Sequence, residues 1–223
     1  MTRRRFPVGK TLLYVFMSLW ALTTIYPFIW VILNSFKPRG LIRSDTFSLP
    51  IGDKFTLENY VTAFKRVDIG TAYVNSIVIS GAVTVVVMVL AGLAAYAMVR
   101  YSFRLRGFLH SMIIASMMFP VFSTLIPVFR MESSWGIVNT GSIWLTRLSV
   151  VLPQIAGNLS FAIIVLMGFI RSLPVDLEEA AYLEGYNVYQ IFFRIIMPLA
   201  KPSFATVGIF TFLWSYNDLF LQM

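Results

Sequence analysis

The chain has no cysteine and a single histidine, His110. The first absence excludes a disulfide framework and thiolate metal sites, and the second leaves no histidine cluster for zinc. Charge is also scarce. Asp, Glu, Lys and Arg make up 13% of the 223 residues, against ~25% in an ordinary soluble domain. Ten acids and 18 bases cannot coat a chain that is 58% hydrophobic. The same composition excludes disorder, which needs low hydrophobicity. What is present instead is a series of long, uninterrupted apolar runs.

A transmembrane helix needs about 20 apolar residues to cross ~30 Å of hydrocarbon. Five stretches qualify, at residues 12–33, 76–99, 109–129, 148–170 and 203–221. Continuous runs of this length predict helices, because lipid offers no partner to an open backbone. A membrane barrel would show alternating segments of ~10 residues, and none occurs. The first run exceeds a signal-peptide core and no small-x-small cleavage site follows it, so it is expected to be retained. The expected fold is an all-α, polytopic membrane bundle.

The net charge of +8 does not point to nucleic acid. Basic residues flank apolar runs, as with Arg3, Arg4, Arg5 and Lys10 before the first and Arg100, Arg104 and Arg106 after the second, rather than clustering on one face. With the N-terminus in the cytoplasm, the inner segments 1–11, 100–108 and 171–202 hold ten bases and the outer segments 34–75 and 130–147 hold eight. The inner bases are denser and closer to span ends, and Asp45, Asp53, Glu58 and Asp68 offset the outer ones. The positive-inside rule therefore favours a cytoplasmic N-terminus. The expected organisation is a cytoplasmic segment 1–11, a first span 12–33, an extracytoplasmic loop 34–75 and a core 76–221. Gly9-Lys10-Thr11 is a false echo of a phosphate-binding loop: the first glycine of that motif would fall on Arg4, and no strand precedes it.

The stretch 173–202 departs from the rest and carries four acids, Asp176, Glu178, Glu179 and Glu184. Asp176 is expected to cap a short helix, with Glu179 in the capping-box position. Gly185 is the expected stop. Tyr189, Phe192, Phe193 and Ile196 then form one apolar stripe of a second helix, ended by Pro198. Ala180 and Ala181 leave the first helix with a flat face. Periodicity alone fits two readings, an interfacial helix pair beneath the bundle or a docking element for a cytoplasmic partner.

Glu179-Ala180-Ala181-x-x-Glu184-Gly185, followed by Ile195 or Ile196, Pro198 and Leu199, resembles the EAA loop of bacterial ABC importer permeases. Glu184 stands where that family more often has Asp. The resemblance extends over nearly the whole chain. Tyr26-Pro27-Phe28, Asn34-Ser35-Phe36-Lys37, Thr56-Leu57-Glu58-Asn59-Tyr60, Asn75-Ser76, Ala94-Ala95-Tyr96-Ala97 with Arg100 and Phe103, Leu125-Ile126-Pro127, Gly136-Ile137-Val138-Asn139-Thr140, and Trp214, Asn217 and Asp218 are similar to signatures of the carbohydrate-uptake branch, the maltose and glycerol-3-phosphate type.

The resemblance implies a permease that is not itself an enzyme and binds no cofactor, with ATP and Mg held by a partner ATPase. It further implies a second homologous permease, two ATPase subunits docked beneath, and an extracytoplasmic binding protein that delivers the sugar, all at a bacterial inner membrane. Glu179, Ala180, Ala181, Glu184, Gly185 and Pro198 would form the ATPase-docking loop. Such permeases usually have six spans, so a sixth is expected to be missing here, as from a fragment or a truncated product. Another solute class remains open, as does a channel or scaffold subunit. Polar groups inside spans often line cavities. Asn75, Asn158, Trp214, Asn217 and Asp218 are the candidates for the substrate path, with Ser80, Thr84, Ser123, Thr124, Gln154, Ser215 and Tyr216 beside them. Pro120, Pro127 and Pro153 are candidate helix breaks, and Ala91 and Ala95 a small-residue pair for close helix contact.

Overall fold

A computed structural model describes residues 8–138 and 140–218. Arg3, Arg4, Arg5, Asn139 and Leu221, which the sequence singles out, lie outside the described residues. Among the described residues every regular element is helical. The chain divides into two compact units, residues 1–72 and 73–223.

In the first unit, α1 (Val8–Ser35) has Pro27 inside it and leads to α2 (Arg39–Ser44), a tight turn at Gly52–Lys54, and α3 (Glu58–Arg66). Gly9-Lys10-Thr11 lies in the first turn of α1. Two of the sequence signatures close on each other. The Asn59 side-chain amide donates to the Ser35 and Lys37 carbonyls at 3.0 and 2.7 Å. Ser35 and Tyr60 share a 2.6 Å hydrogen bond, and Phe36 packs on Phe55 and Tyr60. Lys37 is fully buried. Its ammonium donates to the carbonyls of Asp45 and Thr46 at 3.1 and 2.8 Å, which satisfies a charge that would otherwise be costly to bury.

The second unit is built on α4 (Ile69–Arg100), α7 (Ile143–Ser172) and α11 (Lys201–Tyr216). At 1.5 Å per residue α4 is about 48 Å long, more than enough to span. The Thr71 amide and hydroxyl bond to the Asp68 carboxylate just before α4, serving its first turn as a cap does and holding that carboxyl below its ordinary value. Val83, Val87, Ala91 and Ala95 form a fully buried seam along α4. It meets Ala162, Leu166 and Ile170 of α7 and Phe204 and Val207 of α11. Lipid is as apolar as these side chains, so close packing rather than the hydrophobic effect holds the spans together. The pair Ala91 and Ala95 lies on that seam as expected. Gly92, beside it, is the tightest point: a Cβ there would sit 2.8 Å from the Phe204 ring and 3.0 Å from that of Phe192.

Three helices, Gly9–Ser35, Ile69–Arg100 and Ile143–Ser172, are long and apolar enough to cross a membrane. The expected third span is not one helix. It divides into α5 (Arg106–Ser116) and α6 (Val121–Ser134). Pro120 is the cause: its backbone is extended, it lacks an N–H, and it disfavours a helical residue before it. Pro127 and Pro153, by contrast, sit inside continuous helices. The described part of the expected fifth span is α11, 16 residues long. The preceding helix, Val188–Leu199, meets it at 81°.

Candidate functional site

The loop between α7 and α11 begins with α8 (Asp176–Leu183), followed by α9 (Val188–Ile191), a π-helical turn at Phe192–Ile196 and α10 (Met197–Leu199). The expected cap at Asp176 does not form. The N-cap is Val175, without a side-chain bond, because Pro174 and the contacts below fix the entry one residue earlier. Three acids in the first turn still complement the helix dipole. Gly185 ends α8 with φ +84°. Its N–H bonds to the Tyr182 carbonyl, and that of Tyr186 to Ala181. This bond pair closes a helix on a left-handed residue, which glycine adopts without strain. The next helix starts with a reciprocal cap that sequence reading overlooked. The Gln190 amide donates to Asn187 Oδ1, and the Asn187 amide to Gln190 Oε1. The spacing Asn-x-x-Gln was the available signal.

The expected stripe on this second helix is only half correct. Phe192 and Ile196 are buried with Ile191, but Tyr189 and Phe193 are exposed. The π turn shifts the register. Pro198 does not end the helix either, which continues to Leu199 and turns at Ala200. A proline ring crowds the carbonyl four residues back, and the wider turn just ahead of Pro198 accommodates it.

The tandem acids of α8 face different ways. Glu178 is 4% exposed. Arg100 Nε donates to its Oε1 at 2.5 Å and the Tyr96 hydroxyl to its Oε2 at 2.8 Å. The same guanidinium donates through Nη2 to the Leu173 carbonyl at 2.9 Å. One arginine at the end of α4 thus holds both the entry of the loop and its first helical turn. Tyr101 and Tyr182 share a 3.0 Å hydrogen bond nearby, and this bond with Tyr101, together with burial, raises the Tyr182 phenol above its ordinary value.

Glu179 and Glu184 are exposed and have no partner among the described residues. The flat alanine face does not survive intact: Ala181 is buried in the core, and only Ala180 faces outward. Pro198 and Gly185 are also exposed. Leu183, which the sequence did not single out, is 90% exposed at the tip. It lies off the apolar periodicity, which is why a pattern search passes it by. Acid, small residue and bare leucine make a surface fit for a partner with an apolar cleft and a base.

A second feature is a cavity of about 500 Å³ between α5, α6, α7 and α11. Asn158, Trp214 and Asp218 line it, as do Gln154, Thr124 and Pro153. Of the five path candidates, Asn75 and Asn217 are elsewhere. Asn75 accepts from Arg147 at 2.8 Å, and Asn217 donates back to the Leu213 carbonyl. Asn158 also donates to a backbone carbonyl, that of Gln154, at 2.8 Å, but remains in the wall. Gln154 is the more telling residue. It is 2% exposed, the Ser215 hydroxyl donates to its Oε1, and its Nε2 has no partner among the described residues. An unmet buried donor in a cavity wall is costly and is suited to a ligand oxygen. Trp214 packs edge-on against Phe161 with centroids 4.8 Å apart, so its ring is held in place beside the cavity.

A helical membrane bundle, a loop pinned to one span yet exposing an acid, and a largely apolar cavity with a few polar groups among the helices fit a multi-pass transport subunit. The family model for binding-protein-dependent transport system inner membrane components matches residues 87–222, and the chain belongs to this family. It is 34% identical over 210 residues to the diacetylchitobiose uptake system permease protein NgcG of Streptomyces coelicolor, covering 94% of this chain and 67% of that one. It is 33% identical over 199 residues to the trehalose transport system permease protein SugB of Mycobacterium tuberculosis, covering 89% and 69%. A crystal structure of a bacterial ABC transporter involved in the import of the acidic polysaccharide alginate matches with a TM-score of 0.79 at 23% identity, over 98% of this chain and 74% of that one. This last likeness is one of fold. The chain is a permease subunit of a binding-protein-dependent ABC transporter, which works with other subunits.

Proposed function

We infer that this permease imports a sugar or sugar derivative, delivered by an extracytoplasmic binding protein, through alternating access driven by two partner ATPase subunits that hold ATP and Mg. A second, homologous permease completes the path, and the N-terminus and the loop 173–202 face the cytoplasm. The observation that carries the coupling role is the division of labour between neighbouring acids: Glu178 ties α8 to α4, while Glu179 stays exposed beside Ala180 and Leu183. Glu179 then meets a base of the ATPase and Leu183 fills an apolar cleft, whose burial contributes roughly 1.5–3 kcal/mol. Closure of the ATPase pair displaces α8, and Arg100 passes the displacement to α4.

A sugar is supported by the names of the relatives and by the chemistry of the cavity. Gln154 Nε2 donates to a hydroxyl oxygen, Asp218 accepts a hydroxyl proton, and Trp214 offers an apolar face. The test is copurification of ATPase subunits with the wild-type and Glu179→Lys permeases in the native membrane, with sugar uptake followed in the same cells. Wild type retains the ATPase and the variant loses it or hydrolyses ATP without uptake. Normal uptake and normal ATPase stimulation by the variant would refute the docking role.

A further inference from the structure

A second cavity, about 250 Å³, is lined by Met98 at the end of α4, Arg106, Gly107 and His110 on α5, and Met167 and Arg171 at the end of α7. No acid lines it. Neither arginine side chain, nor the imidazole, has an ion-pair or hydrogen-bond partner among the described residues. This contrasts with Arg100 close by in sequence, which is fully engaged with Glu178 and Leu173. The first turn of α5 has no acid and no side-chain cap, so the positive end of its dipole adds to the same field. Like charges gathered around an empty space are mutually repulsive, and an anion is what relieves them.

We propose that this cavity binds the phosphodiester headgroup of an anionic phospholipid. The position argues for lipid. The cavity is at the ends of two spans, α4 and α7, at the same end of the bundle as the Arg100–Leu173 contact, where headgroups lie and where basic pockets between helices take anionic heads. The size fits a glycerophosphate head and not whole acyl chains. Leu109, one turn from Arg106, and Ile114, one turn from His110, are 39% and 45% exposed and offer the chains an apolar track on the same side of α5. The buried thioethers of Met98 and Met167 close the floor with adaptable, apolar groups. Arg106 and Arg171 hold the phosphate oxygens by charge-assisted bonds, and His110 donates an N–H in either charge state. The assignment to the cytoplasmic leaflet rests on the proposed orientation of the coupling loop.

The experiment is native mass spectrometry of the transporter complex released from nanodiscs of mixed phosphatidylglycerol and phosphatidylcholine. Wild type should retain phosphatidylglycerol after extended detergent washing. The Arg106→Gln/Arg171→Gln permease should bind it about thirtyfold more weakly, as expected from removing two bases at a membrane surface. Arg104→Gln, a base on the same loop outside the cavity, should retain it. A thermal melt in pure phosphatidylcholine discs checks that the double variant folds, and Arg106→Lys/Arg171→Lys should restore most of the retention. Equal retention by wild type and the double variant overturns the proposal, as does equal loss in Arg104→Gln. Displacement of the lipid by millimolar inorganic phosphate would instead assign the cavity to free phosphate and overturn the lipid reading. Lipid count is read on the permease whether or not an ATPase is bound, so its failure is separable from failure of the coupling model.

Discussion

The two units each bury an ion, and they satisfy it by opposite means. In the first, the ammonium of Lys37 is fully enclosed, and its bonds go to the neutral carbonyls of Asp45 and Thr46. In the second, the carboxylate of Glu178 meets a full counter-charge, Arg100, and a hydroxyl. The carbonyl cradle is local, closing residues 37–46, nine apart in sequence, on themselves. The charge pair joins residues 78 apart in sequence. A neutral cradle fixes the shape of one loop. A long-range pair holds two distant segments together, and in the proposed coupling role its loss would be felt in transport as well as in stability.

The sharpest way to break this comparison is Arg100→Ala. It strands Glu178 in the interior, and removing one partner of a buried pair costs about 3–5 kcal/mol. The melting temperature should fall steeply and uptake should be lost. Arg100→Glu/Glu178→Arg should recover part of both, and no recovery would show that Tyr96 and the Leu173 carbonyl need these particular residues in place. Lys37→Met should cost less, about 1–3 kcal/mol, because two carbonyls lose a donor but no charge is stranded. A melt in which Lys37→Met is the more damaging would reverse the ranking of the two sites. Gly185→Val leaves both ions untouched and forces a branched residue to φ +84°, a strain of about 1–2 kcal/mol. Crosslinking of the loop to the ATPase should fall while the rest of the bundle melts nearly normally.

The smallest effect is expected at the exposed pair Lys54–Asp45, 2.6 Å apart. The hydrogen bond from Lys54, and then that with Ser48, hold the Asp45 carboxyl below its ordinary value of 3.8. A carboxyl lowered in the folded state stabilises above that ordinary value, and the contribution fades as pH falls through the lowered one. Asp45→Asn should therefore lower the melting temperature slightly at neutral pH, and the two profiles should converge as pH falls through the lowered value.

The residues that could be read from sequence are those whose partners are near in the chain. Gly185 was legible because a left-handed helix stop is settled within a few residues. The apolar spans were legible because lipid imposes one rule on every backbone group. The Arg100–Glu178 pair was not: Arg100 looked like one more base at a span end, and Glu178 like one more acid in a first turn. Tertiary packing also overrode local patterns at Asp176, at Ala181 and along the stripe through Tyr189. In the cavity, Asn158, Trp214 and Asp218 were anticipated as polar or aromatic groups in spans. Asn75 had the same credentials, and only the structure reveals that Arg147 occupies it.

Gly92 has a mechanical consequence. Phe192 precedes the 81° bend and Phe204 follows it, yet both rings rest on the same Cα of α4. The angle is therefore not set by the turn at Ala200 alone. It is braced from both arms against a single point, as an elbow rests on a fulcrum. Any displacement of either arm bears on α4 at Gly92, about two turns before the helix ends at Arg100, and the missing methyl is what lets the two arms share one bearing.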